Sequence, residues 1–207
     1  LVGALPISID YRSFASLASS KEVISRSKDI QREMFAQKYI LGVDRLDYSK
    51  GIPERLRGFQ RCLERYPELR EKLSLMQVVV PSRESVGEYL DLKQEIELLI
   101  SRINGEYSTM RWVPVHWRYG SVPRSELAAL YRGAEMALVT SLKDGMNLVC
   151  KEYCACKGDG SGVLVLSEFA GAAIQLSKGA LLVNPYDVDA VAAAIAEGFA
   201  MDAHEKK

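Results

Sequence analysis

Tyr39-Ile40-Leu41-Gly42-Val43-Asp44-Arg45-Leu46-Asp47-Tyr48-Ser49-Lys50-Gly51-Ile52 is the stretch on which the fold turns. It opens as an apolar run without alternation, the mark of a strand covered on both faces. A polar loop follows. Then Ile52, Leu56, Phe59, Leu63 and Tyr66 recur at spacings of three and four, which lines one face of a helix. Buried strand, loop and amphipathic helix, in that order, are the repeating unit of a parallel sheet.

The same alternation runs outward from this unit. Residues 73–80 read as the next strand. Leu92, Ile96, Leu99 and Ile103 mark a helix, with Asn104-Gly105 as its stop. Strand-like residues 110–116 precede a helix opened by Pro123 and carrying Leu127, Leu130 and Tyr131. Residues 135–140 read as a strand, 147–156 as a helix and 157–162 as a flexible loop. Strands are expected over 163–166 and 180–183, and an alanine-rich helix over 187–201. Before all this, residues 5–10 look extended, and 22–35 look like a polar helix with few core contacts. The fold class is therefore α/β: a Rossmann-like parallel sheet with helices on both faces. Such sheets bind ligands in the loops at the carboxyl ends of their strands.

Composition narrows the function classes. The 207 residues are 48% apolar and 26% charged, ordinary for one globular domain. Lys plus Arg and Asp plus Glu number 27 each, so the formal net charge is zero. Nothing in that balance attracts nucleic acid or an anionic membrane, so any anion must be met by a local site. No run reaches the roughly 18 apolar residues of a membrane span, and no secretory segment opens the chain. Cys62, Cys150, Cys154 and Cys156 lack the spacing of paired zinc sites, and His116 and His204 lie far off in sequence. Buried, reduced thiols in a cytoplasmic protein, with no metal and no cofactor, are the expectation. The chain opens at Leu1 in mid-pattern, which suggests a piece of something larger.

Three strand–helix loops carry chemistry. In the first, Arg45 and Lys50 flank a strand end, and Gly51 opens the backbone before a helix N-terminus, which suits a doubly charged phosphate group. A surface loop whose Arg and Lys pair with Asp44 and Asp47 fits the same pattern. In the second, Arg83 follows a strand end and is expected over the same edge. The third runs Ser141-Leu142-Lys143-Asp144-Gly145-Met146-Asn147-Leu148-Val149-Cys150-Lys151-Glu152. Its Asp-Gly turn aims backbone N–H groups above the sheet edge, flanked by the carboxylates of Asp144 and Glu152. The plainer reading is a helix capped by Asn147 with Glu152 in solvent. No nucleophilic triad, no G-x-G-x-x-G after a strand and no Walker pattern is present.

Residues 42–55, Pro81-Ser82-Arg83, Arg102-Ile103-Asn104-Gly105, residues 143–149 with Lys151-Glu152, residues 162–173 and Val183-Asn184-Pro185-Tyr186 together resemble the trehalose-6-phosphate synthase family. They stand in that family's order from about residue 40 to the end. The resemblance implies one half of a GT-B glycosyltransferase: an interdomain linker at 1–10, then a C-terminal nucleotide-sugar-binding domain at 11–207, with the N-terminal acceptor domain absent. It implies Arg45 and Lys50 as the catalytic cations on the donor diphosphate. Asp144 with Gly145, Met146 and Asn147 would hold glucose, the backbone of Leu148 and Val149 the phosphates, and Glu152 the ribose. Val122 would belong to the base pocket, at 119–122, where this sequence departs from the bacterial forms. Arg83 would meet the acceptor phosphate.

The implied partners are UDP-glucose, glucose 6-phosphate and the protein's own N-terminal domain, with self-association left open. The implied reaction is retaining transfer of glucose, in which fixed cations stabilise the departing nucleotide more than the ground state. On this resemblance the chain binds the donor and is inactive alone. Glucosylglycerol-phosphate synthases and non-catalytic regulatory subunits resemble the same loops.

Overall fold

A computed structural model describes residues 5–34, 38–82 and 87–206. Its elements in chain order are α1 (Tyr11–Ala18), α2 (Lys21–Glu33), β1 (Lys38–Arg45), α3 (Ile52–Arg65), β2 (Leu73–Val80), α4 (Gly87–Tyr107), β3 (Val115–Tyr119), α5 (Arg124–Gly133), β4 (Met136–Val139), α6 (Leu148–Cys156), β5 (Val163–Ser167), α7 (Ala173–Leu176), β6 (Leu181–Val183) and α8 (Val188–Ala200). Side chains of β1 divide by the period of two between the faces of the sheet. Ile40 joins the core under α3, α4 and α8, while Tyr39 and Leu41 join the core under α1, α2, α5 and α6. Helices on both faces explain why the strands lack alternation.

The six strands are all parallel, in the order β3-β2-β1-β4-β5-β6. The chain builds outward from β1 to β3, then returns to the other side of β1 for β4. That reversal makes β1/β4 the switch point, where an open α/β sheet leaves a crevice. β1 pairs with β2 from Lys38↔Leu73 through Arg45↔Val80, but with β4 only at Ile40↔Met136 and Leu41↔Ala137. Beyond Leu41 the two strands part, and the crevice opens between their carboxyl ends.

The expected α/β class holds, with local corrections. Asn104-Gly105 does not stop α4, which runs on to Tyr107. Asn104 instead clasps β3: its Nδ2 donates to the Val115 carbonyl at 2.9 Å and its Oδ1 accepts from the Val115 N–H at 2.9 Å. β3 begins at Val115 rather than 110. Thr109 and Trp112 pair across a tight turn that leaves Met110 in solvent, and the buried Trp112 donates its Nε1–H to Ser74 Oγ at 3.0 Å. The amino-terminal helix is no loose appendage. Val23, Ser27, Ile30 and Met34 bury a stripe against the second core, and Arg26 Nε reaches Glu126 Oε2 on α5 at 2.8 Å. Ser27 breaks that stripe in the sequence, but its hydroxyl is satisfied by the Ile24 carbonyl. No described helix is long and apolar enough to cross a membrane.

Asn104→Ala removes both bonds of the α4–β3 clasp. Urea denaturation is expected to show a loss of about 1–3 kcal/mol, with the m-value unchanged.

Candidate functional site

Two loops meet at the switch point and are tied together along their backbones. In the loop after β1, Asp47 accepts from the Ser49 N–H and hydroxyl at 2.9 and 2.7 Å, which winds Tyr48–Lys50 into a single 3₁₀ turn. That turn presents the Ser49 carbonyl to the loop after β4. It accepts from the N–H groups of Leu142 and Lys143 at 2.8 and 3.3 Å. Gly51 follows with φ 63°, and a Cβ there would fall 2.6 Å from the Thr140 carbonyl oxygen. Only glycine allows both this conformation and this approach.

The loop after β4 is braced from its other side. Gly171 N–H donates to the Asp144 carbonyl at 2.9 Å, and Ala172 N–H to the Met146 carbonyl at 2.8 Å. A side chain at Gly171 would collide with the Gly145 backbone. Asn147 stands in the left-handed region at φ 69° and caps α6 by accepting from the Cys150 N–H at 3.1 Å. Asparagine is among the few residues that tolerate this conformation. Leu148 and Val149 open α6, so their N–H groups belong to a first turn that has no intrahelical acceptor.

Between the loops lies a cleft of about 370 Å³ lined by Val43, Asp44, Arg45, Lys50, Asp144, Met146, Asn147, Leu148 and Val149. Lys50 Nζ spans it to Asp144 Oδ2 at 2.7 Å. Arg45 is largely exposed and stands 4.0 Å from Asp47. Burial pulls the Asp144 carboxyl upward, but Lys50, the Met146 N–H and the Asn147 amide outweigh it and leave the pKa lowered. Asp144 is therefore an anion at neutral pH. Glu152 goes the other way. Burial raises its pKa, against a 2.9 Å hydrogen bond from the Tyr131 hydroxyl.

The expected site residues are thus brought together in part. Arg45, Lys50, Asp144, Met146, Asn147, Leu148 and Val149 share one cleft. Gly145 is exposed on the turn that closes it, Glu152 lies farther along α6, and Val122 sits in the loop between β3 and α5; these three do not line the cleft. Arg83 lies outside the described residues. The plain reading of the first loop held only for Arg45 and Asp47, because Lys50 pairs across the cleft and Asp44 pairs with Arg55. Glu152 is not in solvent as a simple capped helix would leave it; Tyr131 holds it. Among the described residues no group of three or more His, Cys, Asp or Glu side chains is placed to hold a metal ion. The thiols are free, and burial pushes Cys62 and Cys150 up to about 12.

The whole chain, residues 1–207, matches the sequence pattern of glycosyltransferase family 20. The chain belongs to that family. It is 44% identical over 206 residues to an α,α-trehalose-phosphate synthase (UDP-forming) of Dictyostelium discoideum, covering 100% of this chain and 28% of the relative. Against the Candida albicans synthase the identity is also 44%, over 43% of the relative. The crystal structure of a Burkholderia xenovorans α,α-trehalose-phosphate synthase in complex with glucose-6-phosphate superposes with a TM-score of 0.94 at 41% identity, over 99% of this chain and 45% of that one. An E. coli trehalose-6-phosphate structure bound with UDP-2-fluoro glucose gives 0.92 at 40%, over 97% and 44%. The chain spans less than half the length of these proteins. Its fold is the Rossmann-like half of a GT-B glycosyltransferase, as expected.

Beneath the family 20 cleft lies a polar network that sequence reasoning missed. Arg55 is wholly buried and bonds to Asp44, Gln77 and Thr140, themselves buried. The signal was present: Arg55 falls among Ile52, Leu56 and Phe59 on the apolar face of α3, where a charge needs buried partners. Gly42 makes the room, since a Cβ there would fall 2.7 Å from Arg55 Nη1 and would also strike the Gln77 side chain. Gly42→Ala is expected to cost about 1–3 kcal/mol by overpacking, measured as a shift of the urea midpoint.

Proposed function

We propose that this chain is the donor-binding half of a retaining glucosyltransferase that passes glucose from UDP-glucose to glucose 6-phosphate, giving trehalose 6-phosphate. One observation supports this most: Arg45 and Lys50 stand across a switch-point cleft from the first turn of α6, in a chain of glycosyltransferase family 20. Side-chain cations on one wall and backbone N–H groups on the other suit a diphosphate. The solved relatives bound with glucose-6-phosphate and with UDP-2-fluoro glucose fit the same pair of substrates.

Asp144 holds the glucose hydroxyls as an acceptor, beside the turn at Gly145, Met146 and Asn147. Lys50, paired to Asp144 in the free protein, turns to the diphosphate when the donor enters. Leu148 and Val149 meet the phosphates through their N–H groups, and Glu152 holds the ribose diol. Val122 lies toward the base, and Arg83 meets the acceptor phosphate. Cleavage of the bond between the anomeric carbon and the diphosphate leaves positive charge on the sugar and more negative charge on the nucleotide. Cations fixed at Arg45 and Lys50 stabilise that change more than they stabilise the ground state. The acceptor enters on the face the diphosphate leaves, so the configuration is retained without an enzymic nucleophile. An N-terminal domain supplies the acceptor side of the cleft, and without it the donor half does not turn over, since positioning contributes several kcal/mol. Buried thiols suit a reducing compartment, and the cytoplasm is the proposed location.

Calorimetric titration with UDP-glucose tests the donor site. Arg45→Ala and Lys50→Ala should each weaken binding about ten- to a hundredfold, the loss of one charge-assisted contact. Unchanged affinity in both variants would overturn the placement of the diphosphate.

Glu152 adds a pH signature. Its pKa is raised above the ordinary 4.5, so as pH falls it takes up a proton before an unperturbed glutamate would and ceases to accept from the ribose. UDP-glucose carries no phosphate proton that titrates there. Its affinity should therefore fall as pH is lowered in the wild type and lose that step in Glu152→Gln, which binds more weakly than the wild type above the Glu152 pKa and converges with it below. Parallel pH profiles for the two proteins would remove Glu152 from the ribose site.

A further inference from the structure

Arg55 lies under the cleft without lining it, fully buried at 0% exposure. Its Nε donates to Thr140 Oγ1 at 3.0 Å, and its Nη1 donates to Gln77 Oε1 at 3.0 Å and pairs with Asp44. Its Nη2 donates to the Lys50 carbonyl at 3.4 Å. Asp44 belongs to the end of β1, Gln77 to β2, Thr140 to the loop after β4, and Lys50 to the loop after β1. One planar group therefore touches both sides of the gap where β1 and β4 part.

Stability alone is a poor account of such a group. Well-packed apolar residues often serve a core as well as a buried ion pair, or better, because both charges must be desolvated. A buried arginine does what an apolar residue cannot: its fork aims several donors at acceptors fixed in different directions. Here those acceptors include the backbone of Lys50 itself and the first residue of the opposing loop.

We propose that Arg55 is a positioning residue that locks the Lys50 loop to the Thr140 loop, so that Lys50 Nζ is held at the height where the donor diphosphate lies. This rests on the donor reading of Lys50 given above. Arg55 touches no substrate; it acts through Lys50. A lysine in its place keeps the charge beside Asp44 but has one nitrogen, and it cannot serve Thr140, Gln77 and the Lys50 carbonyl together.

A double-mutant cycle on UDP-glucose binding, with thermal melting in parallel, tests this in the full-length protein. Arg55→Lys alone should weaken binding about tenfold, an interaction size usual for residues in one hydrogen-bond network. In a Lys50→Ala background the same change should cost less than about twofold, the limit of ordinary additivity. Thr140→Val, which removes only the acceptor of Nε, should show the same dependence on Lys50 with a smaller loss, and it decides the matter if Arg55→Lys does not fold. Wild-type affinity in the single variants, or equal losses in both backgrounds, would overturn the positioning role and leave Arg55 as a support of the fold. Lys50→Ala with unchanged affinity would instead overturn the donor reading of Lys50, a result seen without any Arg55 variant.

Discussion

The parting of β1 and β4 is the constraint from which the site follows. Two adjacent parallel strands normally share backbone hydrogen bonds along their length, yet these two share register only at Ile40↔Met136 and Leu41↔Ala137. Past that point the backbone of β1 from Gly42 onward faces a gap, and groups left there need partners. Arg55 ties the two sides together, bonding to Asp44 at the end of β1 and to Thr140 after β4. Above it, the Ser49 carbonyl takes the N–H groups of Leu142 and Lys143, and the Gly51 backbone lies against Thr140. What remains open at the top is the cleft.

Charge in that cleft is arranged by the same geometry. Lys50 and Asp144 lie in loops after different strands, and they meet where those loops are bonded together at Ser49. Asp144 keeps its charge beside the lysine, while Glu152 is pushed toward the neutral form by burial. Two carboxylates on one loop-and-helix unit thus differ in basicity because Lys50 and its neighbours outweigh burial at Asp144, whereas burial outweighs the Tyr131 hydrogen bond at Glu152. The backbone strain at Asn147, at φ 69°, belongs to the same unit: it turns the chain from the Asp144 loop into α6, whose first residues Leu148 and Val149 line the cleft.

Much of this was legible from residue order, and the failures have physical causes. Apolar runs located β1, β4 and β5, and the apolar end of residues 73–80 located β2, because a strand covered on both faces shows no alternation. Asn104-Gly105 misled as a helix stop because Asn104 spends its amide on Val115, a partner brought near only by the sheet. Residues 110–113 misled as strand because Trp112 is buried by a turn rather than by pairing. The amino-terminal helix read as loose because Ser27 interrupts its apolar stripe, while its burial depends on α5, distant in sequence.

By itself the sequence determined the class of the sheet, the loops that face its ligand edge, and the family, since each of these is carried by local periodicity or by contiguous motifs. Arg45, Lys50, Asp144 and the 146–149 turn were marked as candidates on those grounds alone. Only the tertiary structure decided who pairs with whom. Lys50 had Asp47 three residues away and took Asp144 instead; Asp44 had Arg45 beside it and took Arg55. Asp44 and Arg45 are neighbours on β1 and point to opposite faces of the sheet, so Asp44 meets Arg55 of α3 while Arg45 is left to Asp47 in the loop.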